Sequence, residues 1–130
     1  MILIFDLDDT LYDESTYVMS GIRAVAEFAG QAFGWDVDQS FKQMAALLKN
    51  NGRGRVFDDW LVSREQFSKK LVKQCLHVYR HHEPAITVTK ETRELLEDLR
   101  ESYPLYIVTD SHKVVQKKKI DALSISHFFI

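Results

Sequence analysis

The chain has 130 residues, 45% apolar and 28% charged, which fits one domain or one core with an insert and excludes a disordered chain. Its 17 basic and 19 acidic residues leave a net charge of −2, so no broad basic field is present to draw nucleic acid or an anionic membrane. The apolar runs fall far short of the roughly 20 residues that span a bilayer. The single Cys75 permits no internal disulfide, and a cytoplasmic setting is expected.

Ile2-Leu3-Ile4-Phe5 reads as a strand buried on both faces of a parallel sheet, and it stops abruptly at Asp6-Leu7-Asp8-Asp9-Thr10. An acidic cluster so close to the N-terminus is the wrong flank for a secretory signal. From Ser15 the period becomes helical, with Val18, Ile22, Val25, Ala26, Ala29 and Phe33 on one face and Gly34 at the end. A second helix is expected from about Asp38 to Asn50, followed by the loop Asn51-Gly52-Arg53-Gly54-Arg55. The segment from Val56 to Leu61 fits a short helix less clearly. Ser63-Arg64-Glu65-Gln66 has the form of a capping box, so a long helix through about His82 is expected to open there, with Phe67, Leu71, Cys75 and Val78 inward. Pro84 ends it.

Beyond Pro84 helix and strand alternate. Thr89 can cap a helix carrying Leu95, Leu96 and Leu99. Leu105 to Val108 reads as a second strand, closing on Thr109-Asp110-Ser111. A further helix runs to about Leu123, and His127 to Ile130 looks like the opening of a third strand. This order implies an α/β fold: a Rossmann-like parallel sheet core, incomplete, formed by residues 1–13 and 84–130, with an inserted all-helical cap at 14–83. In such a sheet, ligands sit at the carboxyl ends of the strands. Asp6 to Thr10 and Thr109 to Ser111 are the polar clusters at those ends.

Asp6 and Asp8 are two apart, so an extended backbone can point both to one side. Two close carboxylates repel, and one pKa should rise unless a cation intervenes. Such a split pair suits an ionised nucleophile beside a general acid. A hard cation such as Mg²⁺ takes oxygen ligands of this kind. Thr109 adds a hydroxyl donor, and the set suggests a phosphoryl pocket. Structural alternatives stand beside these readings. Asp9, Asp110 and Ser111 suit capping, His112 a solvent-facing helix position, and Lys117 to Lys119 a solvated helix face. His77 and His81 have metal-binding spacing but no evident third ligand. Arg53 and Arg55 suit a surface turn or a contact to an anionic substrate.

Ile4-Phe5-Asp6-Leu7-Asp8-Asp9-Thr10-Leu11 resembles the first motif, hhhhDxDxT, of the haloacid dehalogenase-like hydrolases. Leu105 to Asp110 resembles the second motif, and Gln116, Lys119, Leu123 and Phe128 resemble the Q-x-x-K…L…F pattern that follows it. The resemblance implies a phosphatase that forms an aspartyl-phosphate on Asp6. Asp8 would be the acid and base, and Mg²⁺ would be held by Asp6 and the Asp8 carbonyl. Thr109, with Asp110 beside it, would bind the phosphate of a small phosphorylated metabolite. The third-motif Lys and fourth-motif acids have no match, and Lys117 to Lys119 are not assigned that role. An N-terminal portion of a longer enzyme, its own turnover left open by the missing groups, is therefore an expectation. So is a non-catalytic module that self-associates through an exposed sheet edge at Ile2 to Phe5. A two-component receiver domain would need Asp58 or Asp59 at the end of a mid-chain strand.

Overall fold

The computed structural model describes residues 1–130. The chain divides into two compact units, residues 1–17 with 83–130, and residues 18–82.

The first unit is α/β. Strand β1 (Leu3–Phe5) pairs in parallel with β2 (Leu105–Ile107), in the register Leu3 to Leu105, Ile4 to Tyr106 and Phe5 to Ile107. A parallel pair needs a long crossover, and here more than half the chain lies between the two strands. Ile2 and Ile4 are 53% and 61% exposed, against the expectation of a strand buried on both faces. The reason is period-two alternation in a sheet of two strands: Ile4 points opposite to Leu3 and Phe5, onto an open face. The expected third strand is also replaced. Ser126–Phe128 forms a 3-10 turn, and pairing starts only at Ile130, whose N–H donates to Leu105 O at 2.9 Å.

Two further helices belong to this unit, one before the second strand and one after it. Helix α5 (Lys90–Ser102) begins at Thr89, whose hydroxyl accepts from the Thr92 N–H, as expected of that cap. Leu96 is buried, but Leu95 is 54% exposed, because neighbours on a helix lie about 100° apart and cannot share a narrow stripe. Helix α6 (Lys113–Leu123) ends at Ser124 in left-handed conformation, φ 56°, without a glycine. Arg93 on α5 donates to the carbonyl oxygens of Leu123 and Ser124 at 2.9 and 3.1 Å, satisfying groups that the end of α6 leaves open.

The second unit is all helical. It holds most of α1 (Glu14–Phe33), then α2 (Val37–Asn51), α3 (Val56–Ser63) and α4 (Lys69–His81). Val18, Ile22, Val25, Ala26 and Ala29 of α1 pack with Met44, Phe57, Trp60, Leu61 and Cys75 in one core. Burial pushes the Cys75 thiol up to about 11, which suits a packed side chain and not a reactive one. The capping-box expectation at Ser63 fails. Its hydroxyl donates back to Trp60 O at 2.6 Å and closes α3, and Glu65 takes a left-handed φ of 57° that breaks the chain. Helix α4 opens six residues after the serine instead, capped by Ser68 Oγ on the Leu71 N–H. Phe67 then precedes the helix and is 47% exposed. Asp58 and Asp59 sit in the first turn of α3, which removes the receiver-domain reading.

Gly21 marks the tightest approach in this unit. A Cβ there would overlap the ring of Tyr79, which makes an edge contact with Phe57 at 5.8 Å. Gly21→Ala gains helix propensity of about 0.8–1 kcal/mol, but displacing a packed ring costs about 1–3 kcal/mol. A net loss of about 1–2 kcal/mol is expected by urea denaturation, and a more stable variant would contradict this packing.

Candidate active site

The turn after β1 is built around Leu7, which is fully buried and whose carbonyl accepts from both Thr10 N and Leu11 N. Asp9 follows with a left-handed φ of 57°, and its Oδ1 accepts from the Glu14 N–H at 2.8 Å. Asp9 therefore works as a cap at the start of α1. Asp6 is the first residue past the strand. It is exposed, and its Oδ1 accepts from the Leu7 N–H at 2.8 Å.

Asp8 is held far more firmly. Its Oδ1 accepts from Tyr12 OH at 2.7 Å and from Lys119 Nζ at 2.9 Å, and its Oδ2 accepts from Gln116 Nε2 at 2.9 Å. The same Gln116 Nε2 lies 2.8 Å from Thr109 Oγ1. Lys119 also stands over the ring of buried Tyr17, 4.2 Å from its centroid. Asp8, Thr109, Gln116, Lys119 and Tyr12 thus form one connected network at the ends of both strands. Asp110 and His112 are exposed beside it, and His112 starts α6 without a side-chain cap bond.

Lys119 corrects the sequence reading. Lys117 is exposed and pairs with Asp121 at 3.0 Å, and half-buried Lys118 pairs with Glu83 at 2.8 Å. The Lys119 side chain is only 4% exposed. Three consecutive residues cannot share one helix face. Gln116, Lys119 and Leu123 are the buried set of α6, at i, i+3 and i+7. That spacing was visible in the sequence and marks the inward stripe.

The expected rise of a carboxylate pKa does not occur at Asp8. Burial pushes the Asp8 carboxyl up, but the hydrogen bonds from Tyr12, Lys119 and Gln116 and the Lys119 charge outweigh it. Asp8 is held below the ordinary carboxylate value of 3.8. Tyr12 moves the other way: burial and the bond to Asp8 keep its hydroxyl protonated far into alkali. These donors keep Asp8 an anion and lower its basicity, so its proton affinity must rise at the loaded site before it handles a proton.

The chain offers no group of three His, Cys, Asp or Glu that could hold a metal ion. His77 and His81 stack at 4.1 Å with no third ligand. At the strand ends the Asp8 carboxylate is occupied by its three donors, leaving the exposed Asp6 carboxylate and main-chain oxygens. That sparse oxygen set fits Mg²⁺, which keeps several waters and binds through one or two carboxylates plus phosphate. In the helical unit, Arg55 pairs with Asp58 and Asp59 at 3.9 and 3.8 Å, while Arg53 lines a cavity of about 310 Å³ with Val18, Ile22, Leu48, Phe57 and Tyr79.

Residues 3–130 match the family described as haloacid dehalogenase-like hydrolase. The chain belongs to that family. Among curated proteins of the family it is 26% identical, over 98% of its length, to a glyceraldehyde 3-phosphate phosphatase of Pyrococcus furiosus, covering 56% of that protein. It is also 26% identical to the phosphatase of the same name from Methanocaldococcus jannaschii, covering 58% of it. The chain therefore spans a little over half the length of these relatives. Solved haloacid dehalogenase-like structures share the fold. One from Bacillus subtilis, described as the HAD-hydrolase YfnB bound to magnesium, superposes with a TM-score of 0.58 at 17% identity over 98% of this chain and 61% of its own. A hydrolase of the family from Streptococcus pneumoniae gives 0.52 at 24% identity, over 98% of this chain and 58% of its own. No helix of the chain is long and apolar enough to cross a membrane.

Proposed function

We propose that this chain carries the nucleophile and acid–base half of a Mg²⁺-dependent phosphomonoesterase acting on a small phosphorylated metabolite. The observation that carries the reading is the network that ties Asp8 of the first strand's turn to Thr109 after the second strand. The phosphatase names of two relatives support the reaction class.

In the first step an Asp6 carboxylate oxygen forms a bond to phosphorus as the bond to the leaving alcohol breaks. Asp8 gives the departing oxygen its proton. Asp8 is an anion at rest; the arriving phosphate dianion raises its proton affinity, so Asp8 takes up a proton from solvent on binding and passes that proton to the departing oxygen. In the second step water attacks phosphorus, Asp8 takes its proton, and the Asp6 oxygen leaves. Thr109 donates to a phosphoryl oxygen throughout, with Asp110 beside it. Asp6 and the Asp8 carbonyl would hold Mg²⁺, which supplies positive charge to the phosphoryl oxygens when bound.

Hydrolysis of p-nitrophenyl phosphate and a panel of phosphorylated metabolites with Mg²⁺ tests the reading. Wild-type turnover lost in Asp6→Asn is expected, and turnover that survives it removes Asp6 as nucleophile. A second reading, association through the open sheet, is supported by the exposure of Ile2, Ile4 and Val108 at 53%, 61% and 60%. Concentration-dependent sedimentation without turnover would favour it, and a monomer that turns over would end it.

A further inference from the structure

We infer that Gln116 is a positioning residue that aims the Thr109 hydroxyl at the phosphoryl group; this rests on the phosphatase reading above. The argument is one of donor accounting. Gln116 is 2% exposed, and its Nε2 carries two hydrogens and no acceptor. One hydrogen goes to Asp8 Oδ2 at 2.9 Å and the other to Thr109 Oγ1 at 2.8 Å. Asp8 as a carboxylate only accepts, so it fixes which end of the amide faces the site. Thr109 Oγ1 must then accept from Gln116, and its own hydrogen is directed away from the amide. That hydrogen is the donor a phosphoryl oxygen needs. Without Gln116, the Thr109 hydroxyl can turn its hydrogen to the nearest carboxylate and present only lone pairs to the phosphate.

The amide's other end supports a role beyond packing. Gln116 Oε1 is buried and meets no donor. A buried acceptor left without a partner costs about 1–3 kcal/mol, and an apolar side chain of similar size would avoid that cost. A glutamine placed here for stability alone is poorly explained, whereas one placed for its two N–H groups is well explained. It also links the two strand ends, so the carboxylate and the hydroxyl keep one spacing before substrate arrives.

The test is a double-mutant cycle read by binding of orthophosphate in the presence of Mg²⁺, followed by NMR on the full chain. Thr109→Val is expected to weaken binding about tenfold, and Gln116→Met by a similar factor. The double variant should be no weaker than Thr109→Val, because Gln116 acts through that hydroxyl. Losses that multiply to about a hundredfold would overturn the positioning role while leaving the phosphatase reading in place. A wild-type chain that binds no orthophosphate overturns both. Should Gln116→Met fail to fold, the wild-type side-chain amide decides the matter. Two resolved protons that exchange slowly, one of them shifted by Thr109→Val, are expected. Exchange at the rate of an exposed glutamine overturns the inference.

Discussion

Lys119→Met is expected to lose about 3 kcal/mol of stability at neutral pH, a large share of what a domain of this size possesses. The methionine fills similar space but leaves Asp8, 16% exposed, as a carboxylate without its cation. The contact with the Tyr17 ring goes as well. The loss carries a pH signature. The folded Asp8 pKa is depressed, so its stabilisation is complete above the unfolded value of 3.8 and fades as pH falls through the lower folded value. Removing Lys119 takes away its hydrogen bond and its charge while burial remains, so the Asp8 pKa rises. The stability gap between wild type and variant should be full at pH 7 and narrow below 3.8. Urea midpoints across that range measure it. Equal stability at pH 7 would mean that the Lys119–Asp8 pair at 2.9 Å does not hold in solution.

Asp8→Asn is expected to lower steady-state turnover of p-nitrophenyl phosphate by about 10²–10⁴, the usual span for a lost acid–base group. The two steps should not suffer alike. p-Nitrophenolate leaves without needing a proton, so attack by Asp6 still proceeds. Hydrolysis of the acyl phosphate needs a base, and asparagine supplies none. Rapid-quench kinetics should therefore show a burst of about one p-nitrophenolate per chain followed by a slow phase. A variant with no burst, its first phase slowed as much as its turnover, would mean that attack by Asp6 also depends on Asp8 and would contradict this division of the steps.

Much of this site could be read from residue spacing, and the unread part has definite causes. Asp6 and Asp8 stood out because an apolar strand ended in acids at period two. Thr109 did so because Leu105 to Val108 repeated that pattern, although Val108 falls outside the strand. Lys119 reads as solvated within a run of three lysines, although the Q-x-x-K pattern also picks it out. Burial there depends on which turn of α6 meets the Asp8 loop, a tertiary fact that composition does not carry. Ser63 and Gln66 satisfy a local capping pattern that predicts α4 several residues too early. The competing bond from Ser63 to Trp60 O, with the left-handed Glu65, decided the boundary. The strand Leu3–Phe5 was recognised by its apolar run. Its exposure depends on how many strands flank it, which no local window records.

The central claim is that Asp6 takes the phosphoryl group. Rapid quench of the chain with Mg²⁺ and a phosphomonoester, borohydride reduction and peptide mass spectrometry test it directly. Reduction of an acyl phosphate converts aspartate to homoserine, so homoserine at position 6 is predicted. It should accumulate further in Asp8→Asn and be absent without substrate. Homoserine at Asp8 or Asp9 instead, or none in a sample that turns over substrate, would contradict the account.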